Sequence, residues 1–157
     1  MPSTLLCVLF AKLNPFDLKA ALLARHAQHV VLIHFPIALY LAGTCFDLGA
    51  RFLARPHLRL AAGWNFLAAA LLSLPAAASG LLAWRFALEG QPLRGTLRLH
   101  LLFALAVLAG LGLTVWVRKR HSEHDAPVSI PILILEVATS MLVAVTAHLG
   151  GFLSGVN

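Results

Sequence analysis

The stretch His29-Val-Val-Leu-Ile-His34-Phe-Pro36-Ile-Ala-Leu39 opens an apolar segment that continues to Gly49. A segment of about 20 apolar residues is long enough to cross the roughly 30 Å hydrocarbon core of a bilayer as a helix. Pro36 cannot donate a backbone hydrogen bond to the carbonyl of Leu32, so the helix is expected to kink at this turn or to start late. Because an ionisable side chain in hydrocarbon is costly, a histidine in such a segment is a candidate for a functional site.

The composition of the whole chain agrees with a membrane location. Of the 157 residues 60% are hydrophobic and 11% are charged, against about 45 to 50% and about 25% in an ordinary soluble domain. The net charge of +6 comes from Lys and Arg between the apolar runs, which does not favour a nucleic-acid-binding face. Two cysteines make no disulfide framework. We therefore expect an integral membrane protein.

Four apolar runs predict four membrane-spanning helices. They cover about residues 29–49, 60–84, 97–117 and 130–152. The predicted fold is an all-α, four-helix transmembrane bundle over residues 29–157. Residues 1–28 are expected to form an N-terminal interfacial segment, in which residues 16–26 have the pattern of an amphipathic helix.

Alternating helices define two membrane faces. The first and third helices start on face A, where the second and fourth end, and the opposite side is face B. Both chain termini are then expected on face A. Lys and Arg are divided equally between the faces, so the positive-inside rule assigns neither face to a compartment.

Histidines of three different helices lie at one depth near face A. At 1.5 Å per residue, His34, His100 and His148 fall within a few ångströms of one level. Two facing imidazoles in a helical bundle are the ligands of a six-coordinate haem b. Arg25, Arg94 and Arg98 lie on the same face and suit the haem propionates. His29, at the membrane boundary, is expected to be a hydrogen-bond donor behind the ligands or to be wetted.

Other uses of these residues remain open at this point. The histidines could form a tetrahedral metal site or serve a metal-ion transporter, or they could be hydrogen-bonding groups of a cofactor-free structural subunit. Glu136 lies inside the fourth helix toward face B. It is expected to pair with Arg51 or Arg118, and the alternative is a proton or quinone-headgroup partner.

Several of these residues form a pattern that resembles a known family. The run His29 to Leu39, Asp47, Trp64, His100, and His148-Leu-Gly-Gly with Gly155-Val are similar to the bacterial predicted-membrane-protein family called domain of unknown function 2231. The resemblance covers about residues 26–157. It implies a four-helix membrane domain, and because some members are fused or adjacent to Rieske-type and cytochrome c domains, it implies electron transfer. The family usually has proline after its first histidine, where this chain has Val30, which leaves His34 and His100 as the better supported pair.

Together these observations predict a haem b-binding electron-transfer subunit. We expect His34 and His100 to ligate the haem iron, with His148 as the alternate ligand, and quinone to be a further candidate cofactor. The subunit would lie in the bacterial inner membrane as part of a larger respiratory or photosynthetic complex. Its expected partners are the lipid bilayer, other membrane redox subunits and a cytochrome c or iron-sulfur protein. No nucleophile or general-base constellation indicates an enzyme acting by itself.

Overall fold

The computed structural model describes residues 25–86, 88–121 and 128–154. These residues form four helices, α1 (Arg25–Phe52), α2 (Leu58–Phe86), α3 (Gly95–Arg120) and α4 (Ile130–Leu153). The predicted all-α, four-helix architecture is confirmed. All but the end of the predicted interfacial segment falls on residues 1–24, outside the described part of the chain.

The helix ends follow from local sequence. α1 is followed by Ala54 at φ 50°, and the connection between α2 and α3 contains Glu89 and Gly90 at φ 52° and 65°. Positive φ reverses the chain within a few residues, and glycine adopts it without a steric penalty. Ser129 is the N-cap residue of α4, with a proline in the first turn, where the missing N–H of proline costs no helical hydrogen bond.

The proline of the opening stretch does not delay its helix. α1 begins at Arg25 and continues through Pro36 to Phe52, so the expectation of a late start is wrong. Pro36 is buried among neighbouring helices, whose packing can support a helix that lacks one backbone hydrogen bond.

The outer surface of the bundle is apolar. All four helices are long and apolar enough to cross a membrane, and large hydrophobic side chains project outward from each, among them Val31, Leu74, Leu105 and Ile134. In a soluble protein such faces would be buried. Here they are the surface that contacts lipid.

Small residues allow the helices to approach closely in the core. A Cβ on Gly43 would lie 2.9 Å from the ring of Phe66, and one on Gly110 would lie 2.7 Å from Oγ1 of Thr139. Phe66 in turn meets the ring of Tyr40 edge-on, with ring centroids 4.9 Å apart. Such contacts are typical of helix pairs in membranes, where packing replaces the hydrophobic driving force.

The two helical hairpins, α1–α2 and α3–α4, share part of their pattern of buried positions. Four of the seven buried positions of α2 recur seventy residues later as buried positions of α4. On α1 and α3 the equivalent buried positions are seventy-one residues apart. The matched pairs are Ala62 with Ile132, Phe66 with Glu136, Ala69 with Thr139, Ser73 with Val143, and Tyr40 with Leu111. The sequence alone shows no repeat, because equivalent positions carry different residue types.

Candidate functional site

A cavity of about 120 Å³ lies between the two hairpins on the face A side of the core. All four helices contribute to its lining, which includes His29, Pro36, Ser73, His100 and Thr146. Its lining is otherwise apolar. From the level of His29 to that of Ile37 it extends about 12 Å along α1, at 1.5 Å per residue.

His29 is held at the cavity by the neighbouring helix. Its Nδ1 lies 3.1 Å from the carbonyl oxygen of Ala76 and 3.0 Å from Oγ of Ser79. Because a carbonyl oxygen only accepts hydrogen bonds, Nδ1 carries the proton and Nε2 carries the ring's lone pair. Cε1 of His29 packs against Gly80, where a Cβ would lie only 2.9 Å away.

His100 has the same surroundings in the other hairpin. Its Nδ1 lies 3.1 Å from the carbonyl oxygen of Thr146, and a Cβ on Gly150 would lie 3.1 Å from its Cε1. Donation of Nδ1–H to this carbonyl again places the lone pair on Nε2. Metal-ligating histidines commonly have this arrangement, with the second ring nitrogen donating to a carbonyl or carboxylate.

The two imidazoles are therefore equivalent in the repeat. His29 and His100 are seventy-one residues apart, and their glycine partners Gly80 and Gly150 are seventy apart. Each hairpin contributes one half-buried histidine to a cavity that both hairpins line. The site is thus built from two copies of one local arrangement.

The other predicted ligands lie elsewhere. His34 is exposed, and its Nδ1 lies 2.6 Å from the carbonyl oxygen of Val30 in its own helix. His148 is also exposed, and neither residue lines the cavity. The structure brings His100 together with His29 and not with His34 at this cavity. The expectation that His29 is simply wetted is wrong.

The predicted basic residues lie at the helix ends of face A and do not line the cavity. Arg94 precedes α3 and Arg98 lies in its first turn, both exposed near face A. Arg25 is the first residue of α1, and its side chain falls outside the described part of the structure. The α2–α3 connection and the first turn of α3 thus each place one guanidinium group on the membrane face nearest to the two histidines.

A sequence signal for His29 exists in the spacing of the buried face of α1. Pro36, Tyr40, Gly43 and Asp47 are all buried and follow one another at helical spacings of four, three and four. Extending this spacing backwards reaches Ile33 and then His29, and it bypasses His34. The depth of a histidine in the membrane does not determine which side of the helix its ring faces. Depth alone therefore could not distinguish His29 from His34.

The volume and donors of the cavity limit what it can hold. A cavity of about 150 Å³ is known to accommodate benzene, so the present volume suits one small ring. A porphyrin is much larger than this volume, so its binding requires the hairpins to move apart. A tetrahedral site has no support in the described residues, since no group of three His, Cys, Asp or Glu side chains among them is placed to bind a metal.

A second polar cluster lies in the core toward face B. Arg118 of α3 forms ion pairs with Asp47 of α1 and with Glu136 of α4, the latter at 3.1 Å between Nη1 and Oε1. Both carboxyl groups are completely buried. The guanidinium also donates to the carbonyl oxygen of Arg59 at 3.0 Å and lies over the ring of Phe66. This cluster joins all four helices.

The predicted pairing of Glu136 with Arg118 is confirmed. Arg51 has a different role, because its Nη1 donates to the carbonyl oxygen of Val128 at 2.7 Å. Next to the cluster, the hydroxyl of Tyr40 is hydrogen-bonded to that of Thr114 at 2.8 Å. Polar side chains therefore continue from the charged cluster toward the middle of the bundle.

Comparisons with known proteins agree with this architecture. A family model described as "Predicted membrane protein (DUF2231)" matches residues 25–156. Neither a curated protein nor a solved structure matches the chain. The matched range begins where α1 begins and includes all four helices.

Proposed function

The chain belongs to the family of predicted membrane proteins with domain of unknown function 2231, and we propose that it is a haem b-binding electron-transfer subunit with His29 and His100 as the iron ligands. The observation that carries the proposal is the pair of equivalent half-buried imidazoles in one cavity between the hairpins. One ligand comes from each hairpin. This replaces the expected pair of His34 and His100 by residues that meet at one site.

The hydrogen bonds of both histidines support a role as ligands. Donation from Nδ1 to the carbonyl oxygens of Ala76 and Thr146 orients each ring and increases the electron density on Nε2. Gly80 and Gly150 allow the rings to lie against neighbouring helices. A bound haem b would supply reversible one-electron chemistry to the bundle.

The rest of the cavity lining suits the apolar part of a haem. Apart from the histidines, the cavity is bounded mainly by apolar side chains such as Ile33, Ala104, Val107 and Ala147. Because the cavity lies between the hairpins, moving them apart at face A widens it and keeps the hydrogen bonds of His29 and His100, each of which lies within one hairpin. Arg94 and Arg98, exposed at face A, are suited to the propionates.

A quinone headgroup is the second candidate occupant, favoured by the size of the cavity. The cavity volume of about 120 Å³ is close to the roughly 150 Å³ of a cavity that accommodates one benzene ring. In the Nδ1–H tautomer, Nε2 of His100 can accept a hydrogen bond from a quinol hydroxyl. In that case the chain would bind a redox partner from the lipid phase without a metal.

The proposed setting is a larger redox complex. A single-electron carrier needs a donor and an acceptor, and we propose other membrane redox subunits together with a cytochrome c or iron-sulfur protein. The proposed location is the bacterial inner membrane, with both termini on one side.

Spectra of matched histidine variants test the ligand assignment. We expect the reduced purified protein to have the sharp α and β bands of low-spin haem b, and expect His29→Ala and His100→Ala each to lose them. His34→Ala and His148→Ala are matched controls from exposed positions and should retain the bands. Loss of the bands in His34→Ala with retention in His29→Ala would overturn the assignment.

A further inference from the structure

The buried cluster of Asp47, Arg118 and Glu136 carries two carboxyl groups and one guanidinium. It lies in the opposite half of the bundle from the proposed haem ligands and is independent of them. If both carboxyl groups were ionised, these three side chains would hold one net negative charge inside the membrane. An uncompensated charge in such a place is strongly disfavoured.

In each of the two carboxyl groups, one oxygen atom accepts no hydrogen bond from the described residues. Oδ1 of Asp47 and Oε2 of Glu136 are both buried and have no hydrogen-bond donor among the described residues. Nη1 of Arg118 contacts one oxygen of each group, so the two carboxyl groups lie side by side around a single nitrogen atom. Two ionised carboxyl groups cannot donate to each other, whereas an acid and a carboxylate can share one proton.

The charged and titratable groups around the pair do not supply another donor to those oxygens. The ion pairs that the described residues make with the two carboxyl groups both come from Arg118. Arg51 is directed to the carbonyl oxygen of Val128. Arg59 on α2 adds a positive charge within electrostatic range of Asp47, and the hydroxyl of Tyr40 is bonded to Thr114.

We propose that Asp47 and Glu136 form a proton-binding site in the membrane core, in which the two carboxyl groups share one proton beside Arg118. The proton completes the hydrogen bonding of the pair and brings the cluster of three to net neutrality. Arg118 orients both groups through one oxygen of each, which leaves their remaining oxygens for the proton. The site connects α1 with α4, the first and last helices of the bundle.

The infrared spectrum of the complete protein in lipid tests the proposal. At neutral pH we expect the carbonyl-stretch band of one protonated carboxylic acid per chain, because exposed acidic side chains are ionised there. Glu136→Gln should lose this band and keep the helical content of the wild type. The amide has nearly the same shape and donates to Asp47 as the protonated acid would.

Two further variants make the assignment specific. Asp47→Asn should also lose or shift the band, since it removes the other half of the pair. Glu89→Gln changes an exposed carboxyl group in the α2–α3 connection and should leave the band unchanged. No carboxylic acid band in the folded wild type would overturn the proposal, as would a band that both Glu136→Gln and Asp47→Asn retain.

Discussion

Replacement of Arg118 by methionine should destabilise the bundle by about 4 kcal/mol, or roughly a thousandfold in the unfolding equilibrium. The change removes the ionic partner of Asp47 and Glu136, both completely buried. Breaking a buried pair from one side costs about 3 to 5 kcal/mol. Loss of the hydrogen bond to the carbonyl oxygen of Arg59 and of the contact with the Phe66 ring, 5.0 Å from the guanidinium carbon, acts in the same direction.

The assay is unfolding in mixed detergent micelles, followed by the loss of helical circular dichroism. Lys119→Met is the matched control, because Lys119 is exposed on the same helix and such substitutions usually change stability by less than about 0.5 kcal/mol. Adding Asp47→Asn and Glu136→Gln to Arg118→Met replaces all three ionisable groups and should restore most of the lost stability. If Arg118→Met is as stable as the control variant, the ion-pair cluster does not hold the helices together.

Three other predictions concern packing and topology. Gly110→Ala places a methyl group 2.7 Å from Oγ1 of Thr139 and should lower thermal stability by about 1 to 3 kcal/mol, while Gly112→Ala, which meets no atom within 4 Å, should not. Tyr40→Phe removes the hydrogen bond to Thr114 and should cost about 1 kcal/mol of unfolding free energy. Only that much is expected because Thr114 retains its bond to the carbonyl oxygen of Gly110. Reporter tags at the two termini should be located in one compartment and a tag in the α3–α4 connection in the other; opposite locations for the terminal tags would contradict the proposed four-span topology.

The architecture could be predicted from the sequence because lipid imposes a simple length requirement. Each apolar run of about 20 residues corresponds to one helix, and the observed helices extend the predicted spans by a few residues at most ends. The pairing of Glu136 with Arg118 could also be anticipated, because a carboxyl group at that depth requires a partner. These are statements about depth, which the sequence determines directly.

The direction of side chains within the bundle was harder to predict. His29 and His34 are five residues apart, which corresponds to about 140° around a helix at 100° per residue. They cannot both face the centre of the bundle. Depth placed His34 level with His100, whereas the buried face of α1 passes through His29. To choose between the two histidines, one must know that Pro36, Tyr40 and Asp47 form the buried face of α1. The burial of these three residues became evident only in the structure.

The repeat was hidden for a related reason. Equivalent buried positions carry residues of different chemistry, such as Phe66 and Glu136, or Asp47 and Arg118. The two halves therefore complement each other instead of matching, and Asp47 pairs with the residue that occupies its own equivalent position. At the cavity, the histidines and the glycines that they contact have the same residue types in both hairpins.

We propose that the two-histidine cavity holds one haem b, and this can be tested by measuring the haem content of the purified wild-type protein. The protein should be expressed with haem supply, extracted in mild detergent, and assayed for haem by its pyridine complex and for protein by amino-acid analysis. We expect one haem per chain, with a Soret band and a reduced low-spin spectrum. A folded, fully helical protein without haem would contradict the claim and would leave the histidines as hydrogen-bonding groups or as a quinone site.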